Sequence, residues 1–172
     1  LTYDVHVKGE LTLLKSSDPT STFEVQARTQ AVENHSARPA VTTAVVVNED
    51  AGKNLPVIQV SLAQDAATAE NVVTIANCPV QLFVDGVSRD ITTGSGKEGA
   101  AVEVIGNKVV VAYPDTKLRL DMTVMSWRNT CLFSVDYTLA DCRPDDELVG
   151  LLGSPNGEWR DDWMERDGTI LD

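Results

Sequence analysis

Phe23-Glu24-Val25-Gln26-Ala27-Arg28 (FEVQAR, residues 23–28) is the stretch that decides the fold class. Apolar Phe23, Val25 and Ala27 alternate with polar Glu24, Gln26 and Arg28. A period of two places the apolar set on one face of a half-buried strand. Working outward, Leu11 and Leu13 alternate with Thr12, and Val41 to Val47 is an apolar, β-branched run suited to burial on both faces. Ile58, Val60 and Leu62 alternate with Gln59 and Ser61, and Val72–Ile75 and Val80–Val84 read as further short strands. Glu103–Ile105 and Lys108–Ala112 flank Gly106-Asn107, a pair that tolerates the positive φ of a two-residue hairpin. Leu118, Leu120, Met122 and Val124 keep the alternation, as do Cys131, Phe133, Val135, Tyr137 and Leu139.

The segments between are loop-like: Asn48–Asn54 (NEDAGKN) and Thr92–Gly99 (TTGSGKEG) are rich in glycine and small polar residues. Ala63–Glu70 suits a helical turn or two but lacks an apolar stripe. Many short strands with no long amphipathic helix imply an all-β fold, an antiparallel sandwich or barrel. A length of 172 residues with 42% hydrophobic residues provides for one domain with a proper core.

The net charge of −12 argues against nucleic acid, whose binding is driven by Lys and Arg neutralising phosphates, and the same sign disfavours an anionic membrane surface. Residues 136–172 hold 11 acidic and 3 basic residues, so two thirds of the acidic surplus sits in the last fifth of the chain. A bound cation relieves such crowding, and a solvated acidic segment is the plainer alternative. No stretch reaches the roughly 18–20 apolar residues of a membrane span. The chain opens on a strand-like pattern rather than a signal peptide, so either a leader has been removed or this is a piece of a longer protein.

Cys78, Cys131 and Cys142 lack zinc-site spacing. Cys131 and Cys142 are close enough in sequence for a local disulfide across a strand and its return. That leaves Cys78 either as a buried thiol or paired with another segment or chain. Asn34-His35-Ser36 is a glycosylation sequon, usable at Asn34 if the chain is secreted. Catalytic signatures are missing: His6 and His35 are the only histidines, and there is no nucleophile elbow, phosphate loop or zincin motif. Asp161 and Asp162 are adjacent, which suits ligation better than a glycosidase acid pair.

That pair belongs to Leu148–Asp167 (LVGLLGSPNGEWRDDWMERD), where an apolar run ends in a Ser154-Pro155-Asn156-Gly157 turn. Oxygen-bearing side chains on such a turn are what a hard divalent cation takes, and calcium seeks roughly six to eight of them. The spacing is not that of an EF-hand. A solvated acidic turn is the alternative reading.

Gly150–Gly157 followed by Asp161-Asp162-Trp163 resembles the closing motif of von Willebrand factor type D domains, G-L-C-G-N-x-[DN]-G-N-x-x-[DN]-D-[FLW]. Tyr3-Asp4, Gly9-Glu10 and Leu13-Leu14 are similar to the family's opening, and Phe23–Arg28 to its second strand. The resemblance implies a single domain over residues 1–172, a two-sheet antiparallel β-sandwich with a C-terminal calcium-binding loop. The ligands it implies are the Asn156 side chain, the Glu158 backbone carbonyl, the Asp161 and Asp162 carboxylates, and Ser154 in place of the family's usual Asn. A further family ligand falls before Leu1, so the implied domain lacks its first residues and belongs to a larger protein. Leu11, Val149 and Leu152 stand where other members carry cysteine, which implies a cysteine-poor branch. Trp159 and Trp163 either shield the ion or anchor a partner.

The expected function is a non-catalytic extracellular module, structural or adhesive, that contributes with neighbouring domains or subunits to a secreted matrix or cell-surface filament. A glycan- or ligand-binding β-sandwich is the alternative, and a hydrolase whose carboxylates converge only in the fold is a third reading.

Overall fold

Where apolar residues recur with a period of two, the chain is extended. The structure, a computed structural model, describes residues 9–16, 18, 20–32, 40–49, 54–63, 68–93, 99–114, 117–127, 129–139 and 148–149. In chain order the strands are β1 (Gly9–Ser16), β2 (Glu24–Ala31), β3 (Ala40–Asn48), β4 (Ile58–Leu62), β5 (Val73–Ile75) and β6 (Cys78–Val84). They continue with β7 (Val87–Arg89), β8 (Ala101–Ile105), β9 (Lys108–Tyr113), β10 (Leu118–Trp127), β11 (Thr130–Leu139) and β12 (Leu148–Val149). A single 3-10 turn, Ile91–Thr93, is the helical element among the described residues. Within 63–70, described Ala63 and Thr68–Glu70 are coil and turn.

All pairings are antiparallel, and β3 is where they meet. Its β-branched run pairs along its whole length with β2, which in turn pairs with β1 and, through β1, with β12. The other edge of β3 is divided. Ala44–Val47 pair with β4, whereas Thr42 pairs with Phe133 of β11. The division coincides with a break in register. Arg28 lies opposite Ala44 and Thr29 opposite Thr42, which leaves Thr43 as an extra residue. Such a bulge bends the strand and increases its twist, so the two strands that share the edge diverge. The Thr43 hydroxyl bridges the break by donating to the Arg28 carbonyl at 3.3 Å.

Two branches grow from this fork. One runs from β4 to β6, whose far edge is taken by β5 and then β7. The gap between those two short strands is stitched: Asn71 donates to the Ser88 hydroxyl at 3.1 Å, and Ser88 and Gln81 both donate to the Glu70 carbonyl. The other branch is the meander β11-β10-β9-β8. Its β8–β9 turn has Gly106 at φ 62°, the backbone region open to glycine at the first central position of a two-residue hairpin. The β6–β7 turn uses Asp85 (φ 51°) and Gly86 (φ 76°), and Asp85 Oδ1 accepts from the Val57 N–H at 3.0 Å.

The antiparallel all-β expectation holds. The strands do not separate into two sheets, because the divided edge of β3 keeps all twelve in one hydrogen-bonded network. That network curls, so the inward residues of both branches form one core. Val25, Val45, Ile58, Val60, Val80 and Leu82 meet Val102, Val109, Val111, Leu118, Leu120 and Met122 in it. In β1 a bulge between Thr12 and Leu14 lets Leu11, Leu13 and Leu14 all be buried. The run 41–47, expected to be buried on both faces, has Ala44, Val45 and Val47 buried and Val46 half-buried.

Leu120, near the start of β10, is fully buried. Leu120→Ala is expected to lower unfolding free energy by about 2–5 kcal/mol, through lost transfer energy and the cavity left behind. Urea denaturation checks this: the midpoint falls while the slope, set by the surface exposed, stays the same.

Candidate functional site

The inward phase of β6 begins with Cys78 and continues with Val80, Leu82 and Val84, all buried. The inward phase of β11 likewise begins with Cys131 and continues with Phe133, Val135 and Tyr137, which pack on the core. The fork sets these two strands facing each other, and a disulfide joins Cys78 to Cys131 with the Cα atoms 5.7 Å apart. That separation lies in the middle of the range a disulfide spans. Met125 O of β10 lies 3.5 Å from Cys78 Sγ, a contact with a sulfur that carries no proton in the oxidised form.

This corrects the expected Cys131–Cys142 bond. Cys131 is already bonded to Cys78. Moreover β11 carries the chain away from Cys131 in extended form for eight residues, about 26 Å at roughly 3.3 Å per residue. Disulfide closure needs Cα atoms within about 7 Å. Cys142 itself lies outside the described residues. A signal for the true pairing exists in the sequence, since both cysteines open an apolar phase of their strands, but it does not specify which strands face each other.

A depression of about 180 Å³ lies in the notch of the fork, lined by Gln30, Ala31, Val41, Thr43, Leu62, Ala63, Thr130 and Cys131. It is smaller than the roughly 300–1,000 Å³ of typical small-molecule sites. Cys131 borders it and is half-buried, whereas Cys78 is fully buried.

At the other end of β3 the Tyr113 hydroxyl, within a fully buried side chain, donates to the Pro56 carbonyl at 2.8 Å. Burial first, and the buried Glu49 carboxylate second, hold its pKa above the ordinary phenol value. The proton therefore stays on, and Tyr113 acts as a strut between the β3–β4 connection and β9. The perturbed carboxylates described are all shifted the other way. Asp18 is held below the usual range by the Thr20 N–H and hydroxyl, Asp90 by the Thr92 hydroxyl and N–H, and Asp121 by the Arg119 guanidinium at 2.8 Å. Each is kept ionised by a turn or an ion pair, the reverse of a general acid tuned upward.

The expected calcium ligands Ser154, Asn156, Glu158, Asp161 and Asp162 lie outside the described residues, as does the sequon residue Asn34. Among the described residues, no group of three or more His, Cys, Asp or Glu gathers to hold a metal ion, and no helix is long and apolar enough to cross a membrane. No model of a known protein family matches the chain, and no curated protein matches it.

Two outcomes follow from this geometry. The disulfide closes a loop with a sequence separation of 53. Replacing both Cys78 and Cys131 with alanine is expected to remove about 4 kcal/mol, the loop-closure entropy returned to the unfolded chain. Cys142→Ser is expected to leave the unfolding midpoint unchanged, and urea titrations of the three proteins decide it. For Tyr113 the folded pKa is raised, so the unfolded chain loses this proton first. Its contribution is complete below about pH 10, the unfolded tyrosine value, and fades as pH rises above that. Comparing urea midpoints of wild type and Tyr113→Phe from pH 8 to pH 11 tests the sign. The variant should start about 1–3 kcal/mol lower, because the Pro56 carbonyl loses its buried donor, and the gap should narrow in alkali.

Proposed function

We propose that this chain is a non-catalytic extracellular module, structural or adhesive, which contributes with neighbouring domains or subunits to a secreted matrix or cell-surface filament. The observation that carries the reading is the Cys78–Cys131 bond, which fastens the two branches of the sheet over one continuous core. Disulfides of this kind persist in oxidising compartments, outside the cytosol. The small volume of the notch and the downward-shifted carboxylates also favour a building block over a reaction site.

In this reading the two branches, facing each other across the core and joined at β3, correspond to the layers of the sandwich expected from the resemblance to von Willebrand factor type D domains. Calcium is the proposed ligand of the segment from Ser154 to Asp162. The donor chemistry fits it: a hydroxyl, a side-chain amide carbonyl, a backbone carbonyl and two carboxylates are all hard oxygen ligands. The ion would offset the mutual repulsion of the acidic residues after position 136 and restrain the C-terminal segment, which follows β12 at the edge of the sheet beside β1.

Thermal melts in millimolar calcium and in chelator test the proposal. A bound ion raises Tm by mass action, by about 2.7 kcal/mol of stability at a hundredfold excess over Kd. Asp161→Asn with Asp162→Asn should abolish the rise without changing the melt in chelator. Identical melts with and without calcium would overturn the calcium assignment, and turnover of a glycan or ester substrate would overturn the non-catalytic one.

A further inference from the structure

The two sulfurs of the disulfide do not face the same surroundings. Cys78 is fully buried in the core, on the same face of β6 as Val80 and Leu82. Cys131 stands on the wall of the notch with Thr43 and Thr130, where the edge of β3 passes from β4 to β11. Exchange at a disulfide begins with attack by a thiolate along a line open to one sulfur, and the other sulfur departs. Of the two bonded cysteines, Cys131 is the one that borders the notch and is half-buried.

We propose that Cys131 is a site of thiol–disulfide exchange, attacked by an external dithiol that enters the notch, and that the bond is a reducible clasp on the fork. The dithiol's thiolate attacks Cys131 Sγ. A mixed disulfide forms on Cys131 as the Cys78–Cys131 bond breaks, and Cys78 leaves as a thiolate. Cys78 then takes a proton from solvent and has the Met125 carbonyl, 3.5 Å away, to donate it to. The second thiol of the dithiol displaces Cys131, which also ends as a thiol. The protein disulfide gains two electrons and the dithiol is oxidised to its own disulfide.

Reduction has a defined mechanical consequence. Among the described residues the register between β11 and β3 holds a single residue pair, Phe133 with Thr42. Once the clasp opens, that pair and the shared core are what hold the meander beside β4 among the described residues. The effect is confined to the fork, because β1, β2 and β3 pair along their lengths without the disulfide. The inference stands apart from the calcium reading and uses none of its residues.

The test uses the full chain carrying Cys142→Ser, so that the third thiol does not compete. The folded protein is treated with limiting glutathione, quenched in acid and mapped by peptide mass. The adduct is expected on Cys131. In a second measurement Cys78→Ser and Cys131→Ser are each exposed to iodoacetamide under native conditions. The Cys131 thiol should be alkylated at least about tenfold faster than the Cys78 thiol, following access. In a third, dithiothreitol reduces the Cys78–Cys131 disulfide at a rate independent of low urea, and amide exchange then rises at 130–133, 78 and 80 while β1 and β2 stay protected. An adduct on Cys78, equal alkylation rates, or a reduction rate that follows global unfolding across the urea series would overturn the proposal.

Discussion

A strand has two edges, and in this protein one edge of β3 serves two neighbours. Backbone N–H and C=O groups buried in a sheet must be paired, so Ala44–Val47 hydrogen-bond with β4 while Thr42 is left to β11. The extra residue Thr43 separates the two zones. Everything else is arranged by that partition. It sends β4, β6, β5 and β7 one way and the β11-to-β8 meander the other. It also curls the sheet over its own core and brings the leading residues of β6 and β11 face to face.

The disulfide answers a weakness that the partition creates. Among the described residues the branch point has one residue pair toward β11, Phe133 with Thr42. Covalent closure between β6 and β11 supplies the constraint that hydrogen bonding there does not. Tyr113 plays a similar part at the opposite end, where its hydroxyl reaches the Pro56 carbonyl of the β3–β4 connection and ties β9 to it. One fastening is covalent and the other is a buried hydrogen bond. Both join segments remote in sequence, with separations of 53 and 57 residues.

The carboxylates held below the usual range among the described residues are each fixed by a near neighbour in sequence. Asp18 and Asp90 hold their own turns through Thr20 and Thr92, and Asp121 holds Arg119 on the exposed face of β10. Such contacts keep carboxylates charged and in place, and on an exposed surface they add little to stability. The uneven acidity of the chain is concentrated after residue 136. There the proposed role of calcium is to neutralise charge that side-chain cations are too few to balance.

Local order was legible in the residues themselves. Alternation at Phe23–Arg28, Ile58–Leu62, Leu118–Val124 and Cys131–Leu139 determines strands because an extended chain turns successive side chains to opposite faces. Gly106-Asn107 determines a hairpin because the turn needs a positive φ that glycine adopts freely. The oxygen-rich segment from Ser154 to Asp162 discloses a donor chemistry and, being short, nothing about closure around an ion. What only the tertiary structure decided is long-range: which strand takes which part of the β3 edge, and which cysteine meets Cys131. Period-two patterns say which face of a strand is apolar but carry no address for the partner. Cys142, eleven residues on in sequence, therefore looked nearer to Cys131 than Cys78 did, until the fork at Thr43 brought β6 and β11 face to face.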